Sequence, residues 1–283
     1  MKVLSTTPII DDLVSRIGGD RIDHLSLMGP FIDPHSYELV KGDDEKFSTA
    51  QVVFCNGLGL EHSGSLKTLL GSHSQVITLG DTIQKEKPLL ILRDRGEIDP
   101  HIWLDVSLWK EAVDPIVIAL SQIDPEGREL YEARGANTKE MLGALDMWIY
   151  AKLHAVPAEK RHLVTSHDAF NYFARRYLHD EEVEAWQERF CAPEGLAPDG
   201  QLGFHDLQRV VSYVQTHRVS TLFPEANVSR DSLIKIREIL HHIGYKAEIA
   251  SSLLLSDTFS QEASSYEAMM EHNTKLLCEA WDE

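Results

Sequence analysis

The amino-acid sequence predicts an α/β protein of two lobes, each a mostly parallel sheet flanked by helices, joined by one long rigid helix. Strand and helix signals alternate through roughly the first 120 residues and again after Pro157, the pattern of parallel βαβ units. Between these stretches one segment holds helical spacing without a proline from Pro125 to Pro157. The expected organisation is an N-terminal lobe over 1–122, a connecting helix over 123–156 and a C-terminal lobe over 157–283.

The elements follow in order. "KVLSTT" is a short β run, and "PIIDDLVSRIG" has helical spacing and a terminal glycine. "RIDHLSLMG", "QVVFCNG" and "SQVITLG" read as strands, separated by helical "EKFSTA" and "HSGSLKTLLG". "DPHIWLDVSLWKEAVDPIVIAL" reads as one helix with Asp99 as N-cap and Pro100 at its first position. In the long segment, Met141, Leu145, Trp148 and Leu153 recur at roughly helical spacing. Its glycines at 127, 135 and 143 lower the intrinsic propensity, so tertiary support and close backbone contacts are expected there. A single helix between lobes, rather than a Gly/Ser linker, favours small rocking over wide closure. Beyond it come "RHLVTS" (strand), "DAFNYFARRYL" (helix), "EEVEAWQERF" (edge-like strand) and a Pro/Gly loop. "FHDLQRVVSYVQTH" (helix), "VSTLFPE" (strand), "SRDSLIKIREILHHIG" (helix), "KAEIASSLLLSD" (strand) and a closing helix complete the chain.

Composition narrows the function. The 283 residues, 43% hydrophobic and 25% charged, suit a globular protein with a substantial core. No apolar run is long enough to span a membrane. The net charge of −18 argues against nucleic acid or an anionic membrane as partner, since both need a basic face. The N-terminal residues lack the apolar core and cleavage site of an export signal, which leaves a cytosolic protein or one whose signal is removed. Three cysteines, Cys55, Cys191 and Cys278, are too few for a disulfide scaffold, though Cys191 and Cys278 could pair.

The most informative feature is a repeat. Ile-Asp-Pro-His occurs twice, ending at His35 and His101. Proline restricts its own φ and the residue before it, so each histidine is presented from a stiff backbone. Most of the 14 histidines sit in polar runs or near helix ends, where solvated roles are usual. His35, His101 and His167 instead follow a strand or rigid turn and lie at the start of a helix. Loops after the carboxyl ends of parallel strands are where α/β proteins collect ligands. Asp257 ends the last apolar strand in the same way. Two ligands from each lobe would place an ion between them. Three imidazoles and a carboxylate suit zinc, and also manganese or iron. Asp33 and Asp99, two residues before their histidines, are positioned to cap a helix or to orient an imidazole.

At these residues the chain resembles a known family. "GPFIDPHSYEL", "VVFCNGLGLE", "DPHIWLD", "YEARGANTKEMLGALDMWI" and "LVTSHDAFNYFARRY" are similar, in order and over nearly the whole chain, to the metal-binding solute-binding proteins of bacterial ABC importers. This is the zinc/manganese/iron family, cluster A-I. The resemblance implies two α/β lobes, a long connecting helix and one transported metal held by His35, His101, His167 and Asp257. It also implies an importer permease as partner, a monomer, and a periplasmic or extracytoplasmic location with the export signal outside this sequence. Two features depart from the pattern. The segment 179–203 is longer than usual, so Asp257 rests on the "LLLSD" strand end rather than on spacing. Glu225 follows a proline in "LFPEANVS" where the family usually has Glu-Pro, and is retained as a ligand-orienting residue or alternative ligand. The histidine-rich loop of many zinc-specific members is replaced by "TIQKEKPLLILRDRGEI" before His101.

The expected function is non-catalytic capture of a divalent transition metal, with zinc favoured over manganese and iron, and delivery to a permease. A metal-dependent hydrolase with a His/Asp zinc site is the alternative; it would need a coordination position left open for water. A nucleotide-binding reading of "NGLGLE" fails because His62 stands where the third glycine is required.

Overall fold

The computed structural model describes residues 1–94, 96–180, 185–198 and 203–282. The chain separates into two compact units, Met1–Asp146 with Asp257–Glu267, and Met147–Ser256 with Ala268–Glu283. The architecture is α/β, mostly parallel sheets flanked by helices.

The first unit is built on four parallel strands, β1 (Lys2–Ser5), β2 (Asp23–Ser26), β3 (Val52–Cys55) and β4 (Val76–Thr78), in the order β2-β1-β3-β4. Register is set by Leu4, which stands opposite both Leu25 and Val53. All four residues of β3 are buried, as expected of a central parallel strand covered on both faces. The helices are α1 (Pro8–Gly18), α2 (Asp43–Thr49), α3 (Gly64–Ser72), α4 (Leu79–Glu86), α5 (Val106–Trp109), α6 (Val113–Ile123) and the start of α7 (Arg128–His154). In α1 the Thr7 hydroxyl accepts from the Ile10 N–H and Pro8 fills the first turn, where its missing N–H costs nothing. Leu4, Leu27, Phe47, Val53 and Leu66 form a core between sheet and helices. A two-stranded antiparallel hairpin, β5 (Arg93–Asp94) and β6 (Glu97–Ile98), leads into the second Ile-Asp-Pro-His.

The second unit repeats this plan with shorter strands. β7 (Leu163–Val164) pairs in parallel with β8 (Phe190–Cys191), and β9 (Thr221–Leu222) with β10 (Glu248–Ile249). A parallel bridge between Thr165 and Phe223 continues the ladder, giving the order β8-β7-β9-β10. In both units the second strand lies outside the first, and the third and fourth extend the other side. That arrangement has a switch point between the first and third strands, where ligands gather at the carboxyl edge. The helices are α8 (Asn171–Phe173), α9 (Phe204–His217), α10 (Asp231–His242) and α11 (Tyr266–Asp282). Val164, Val210, Val214, Leu222, Leu233 and Ile236 make the second core.

The long helix is observed as α7, 27 residues and about 40 Å at 1.5 Å per residue, after a 3₁₀ turn over Pro125–Gly127. Close packing explains two of its expected glycines. A Cβ on Gly135 would lie 2.6 Å from Val117 Cγ2, and one on Gly127 would lie 2.5 Å from Arg21 Nε. Gly143 has open space and no such role. Overpacking at such sites costs about 1–3 kcal/mol, which exceeds the ~1 kcal/mol of helix propensity that alanine would add.

Some expected elements differ. The helix expected from Asp99 is broken into a 3₁₀ turn (Ile102–Leu104), α5, a second 3₁₀ turn (Lys110–Ala112) and α6. Asp99 is not its cap, because its carboxylate is taken by the His101 N–H and ring; Asp105 caps α5 through the Leu108 N–H instead. The edge strand expected over 181–190 is a 3₁₀ turn at Trp186–Arg189 and only then β8, while 181–184 lie outside the described residues. The second-lobe helix at 171 turns into a π-helical segment at Ala174–Leu178. Cys191 and Cys278 form no disulfide.

Ahead of α7, Arg21 clasps the Asp124 carboxylate with Nε at 2.6 Å and Nη2 at 2.9 Å, and the Tyr131 hydroxyl donates to it at 2.7 Å. These donors, Arg21 first, hold the Asp124 carboxyl down at about 2. The folded carboxylate thus binds its proton less tightly than the unfolded one. Its contribution to stability is complete above the ordinary value of 3.8 and is lost as pH falls through about 2. Thermal melts of the wild type should lose a component between about pH 4 and pH 2 that Asp124→Asn lacks at every pH; parallel acid-melting curves for the two proteins would show the clasp to be inert.

Candidate metal centre

The repeated tetrapeptide has a specific local structure. Asp33 Oδ1 accepts from the His35 backbone N–H at 2.9 Å, and Asp99 Oδ1 accepts from that of His101 at the same distance. These are Asx turns, in which the carboxylate reaches the amide two residues on while the proline between, with no N–H of its own, presents no competing donor. Asp33 Oδ2 also accepts from the Ser36 hydroxyl, and Asp99 Oδ1 also accepts from His101 Nδ1 at 2.7 Å. With the proton of His101 fixed on Nδ1, its Nε2 carries the lone pair.

The first unit brings three of the predicted residues together. His35 Nε2 lies 3.2 Å from His101 Nε2, and His101 Nε2 lies 3.7 Å from Asp257 Oδ1. One ligand atom from each of His35, His101 and Asp257 lies within 4.8 Å of the others. All three side chains are buried, at 2%, 0% and 1% exposure, which excludes the solvated role usual for such groups. Asp257 clusters with the unit that carries these two histidines. The segment after the last strand returns to the first unit: Thr258 Oγ1 accepts from the Phe31 N–H at 2.9 Å, and the Tyr266 hydroxyl donates to the Trp103 carbonyl at 2.5 Å. The Trp103 ring packs edge-on against His101 at 5.4 Å.

His167 is built in the second unit, three residues beyond β7. Glu225 Oε1 accepts from the Ser166 and His167 N–H groups, each at 2.9 Å, and Glu225 Oε2 lies 2.7 Å from His167 Nδ1. Both side chains are buried. Glu225 itself sits where a parallel bridge to Leu254 continues the β9 line. One carboxylate thereby sets both the backbone and the ring of His167, the same task Asp99 performs for His101.

Sequence reasoning missed two further carboxylates. Glu61, the last residue of "NGLGLE", accepts from the Asn56 N–H (2.8 Å), the Gly57 N–H (3.0 Å) and the Thr6 hydroxyl (2.7 Å). Asn56 Nδ2 in turn donates to the Pro100 carbonyl at 3.0 Å, one residue before His101. The glycine-rich loop is therefore a brace for the second Asp-Pro-His, and Gly57 at φ +73° supplies the left-handed turn that aims its N–H at Glu61. Burial pushes the Glu61 carboxyl above its usual range, and these donors pull it back. Glu194 lies near His167; burial raises its carboxyl, while Ser232 and then His167 lower it. Strand-end position was the signal available for Glu61. Glu194 had none, because a loop brings it to β7.

Residues 3–280 match the family described as "ZnuA: Zinc-uptake complex component A periplasmic". The chain is 38% identical over 280 residues to metal-binding protein YtgA of Chlamydia trachomatis serovar D, covering 98% of this chain and 85% of that protein. It is 32% identical over 287 residues to the manganese-binding lipoprotein MntA of Bacillus subtilis, covering 99% and 89%. The crystal structure of Fe(III)-bound YtgA from Chlamydia trachomatis superposes with a TM-score of 0.93 at 37% identity, covering 99% of this chain and 98% of that one. The chain belongs to this family, the metal-binding solute-binding proteins of ABC importers.

Removing the brace should be visible apart from any metal. Glu61→Ala leaves two backbone N–H groups and a hydroxyl without their buried acceptor, at about 1–3 kcal/mol for the site as a whole. Urea unfolding of the metal-free protein should show a lower midpoint with unchanged slope; an unaltered midpoint would mean that the loop does not depend on this carboxylate.

Proposed function

We propose that this protein captures a divalent transition-metal ion, zinc in the first place, with His35, His101, His167 and Asp257 as its ligands, and delivers it to an importer permease outside the inner membrane. The observation that carries the proposal is the convergence of His35 Nε2, His101 Nε2 and the Asp257 carboxylate in a buried place, with the far side of His101 locked on Asp99. Buried imidazole nitrogens 3.2 Å apart gain most from a cation that accepts both lone pairs. Glu225 on His167 Nδ1 turns the other nitrogen of that ring into the ligand atom. Asp33, Asp99 and Glu225 are the orienting residues, since each already accepts from a backbone N–H of the histidine it serves.

Three imidazoles and one carboxylate complete a tetrahedral zinc shell, and the Irving–Williams order places zinc above manganese and iron(II) for such donors. The same saturation argues against a hydrolase, which keeps a position for water. Iron is the second reading. It is supported by the iron(III) that the 37%-identical chlamydial protein carries, and by the capacity of Asp257 to bind through both oxygens.

Titration of the metal-free protein with zinc should give one high-affinity site per chain. His35→Ala and His101→Ala should each weaken it strongly, and Asp99→Asn by about 10–100-fold, with circular dichroism unchanged; wild-type affinity in His101→Ala would eliminate the ligand set. Metal choice is settled by competition. Protein loaded with manganese and then given equimolar zinc should retain zinc after desalting. Retained manganese, or iron that zinc fails to displace, would overturn the zinc assignment and point to an oxygen-richer shell around Asp257.

A further inference from the structure

The second unit holds a cavity of about 800 Å³ that the metal centre does not use. Lys160 and His162 line it just before β7, and Val219 and Ser220 line it just before β9. His167 and Glu225 follow those same strands. The cavity therefore opens at the amino edge of the sheet, with His162 and His167 separated by five residues, roughly 15 Å of extended chain. It is independent of the proposed metal site.

Its described lining is rich in cations. Among the described residues, three permanent cations, Lys160, Arg189 and Arg218, and one carboxylate, Glu159, line it, in a chain of net charge −18. Lys160 and Arg218 are exposed and Arg189 is buried, so the cluster presents one sign of charge to an arriving ligand. Arg189 is 2% exposed and fixed: its Nη1 donates to the Ala158 carbonyl and stands 3.4 Å from His162 Nε2. The His162 ring is fixed from the other side, Nδ1 being 3.0 Å from the Glu188 carbonyl and the His217 ring stacked on it at 4.1 Å.

Arg218 is the decisive residue. It closes α9 at φ +56°, ψ +40°, the left-handed seat that glycine normally takes at a helix end. A side chain kept there bears a steric cost that glycine would not. No side-chain hydrogen bond or ion pair to Arg218 is present among the described residues, so the guanidinium does not repay that cost by holding the fold together. Trp281, 6% exposed, supplies an apolar wall, and its carbonyl accepts from Lys160 Nζ at 2.7 Å. The volume lies in the range of small-molecule sites.

The geometry points to a second binding site in this cavity for a small organic polyanion, one bearing two or more carboxylate or phosphate groups, held by Lys160, Arg189 and Arg218 against the Trp281 ring. The local field is already visible in His162. Burial first, then His217 and Arg189, hold its imidazole down at about 4. A bound anion opposes those cations and must raise that value.

The test uses the full metal-free chain with two probes, tricarballylate for carboxylates and inorganic phosphate for phosphates, each against chloride at equal ionic strength. Calorimetric titration should show saturable binding of at least one probe, with a Kd of about 1 mM or tighter. In NMR titrations the same probe should move the His162 pKa upward from about 4. Arg218→Gly, which suits the backbone, and Lys160→Gln should each weaken binding about tenfold or more, while zinc titration of the same variants stays at wild type. Binding of tricarballylate alone assigns the carboxylate class, and of phosphate alone the phosphate class. No saturable binding of either probe beyond chloride, an unmoved His162, or wild-type affinity in both variants would overturn the proposal.

Discussion

A carboxylate oxygen bound to a backbone N–H recurs at every histidine of the candidate centre. Asp33 holds the amide of His35, Asp99 that of His101, Glu225 those of Ser166 and His167. Glu61 does the same for the loop that braces Pro100. A charge-assisted bond to a backbone amide is stronger than a neutral one and fixes main chain rather than a mobile side chain. The candidate ligands are thus placed by their backbones, and in two cases the same carboxylate also selects which ring nitrogen keeps the proton. The fold supplies the amides, since they project from loops at the carboxyl edges of parallel strands.

Four of the chain's 45 acidic residues serve this arrangement from buried positions. Asp99, Glu61, Glu225 and Asp257 are all buried, at exposures of 0% to 6%. Burying carboxylates costs several kcal/mol each unless donors surround them. Three of the four take backbone donors, and the fourth, Asp257, faces His101. A cation placed between Asp257 and the imidazoles offsets the desolvation of the whole group. Metal binding and the packing of these loops are then one energetic problem.

The two units solve it with the same strand order and different amounts of sheet. The first has strands of three or four residues in continuous register; the second has two-residue strands joined through a bridge at Thr165 and Phe223. The shorter sheet leans on side-chain packing, with Val164, Val214, Leu222 and Ile236 all fully buried. It also leaves the amino edge open enough for the basic cavity beside His162.

The alternation of strand and helix, the long helix and the candidate ligands were all legible in the residues. Each rests on local pattern: apolar period, a proline-free helical run, and Asp-Pro-His, whose geometry is fixed within four residues. What the sequence could not decide was whatever depends on partners distant along the chain. Asp99 looked like a helix cap because capping and ring orientation ask for the same residue, and only the position of the His101 ring chooses between them. Asp257 looked like a member of the second lobe because it ends that lobe's last strand. It clusters with the first unit, where Thr258 and Tyr266 bond to residues 227 and 163 positions away. Glu61 offered only its place after a strand end, and Arg218 no pattern at all; their roles follow from a buried amide pair and a left-handed backbone, which exist only once the chain is folded.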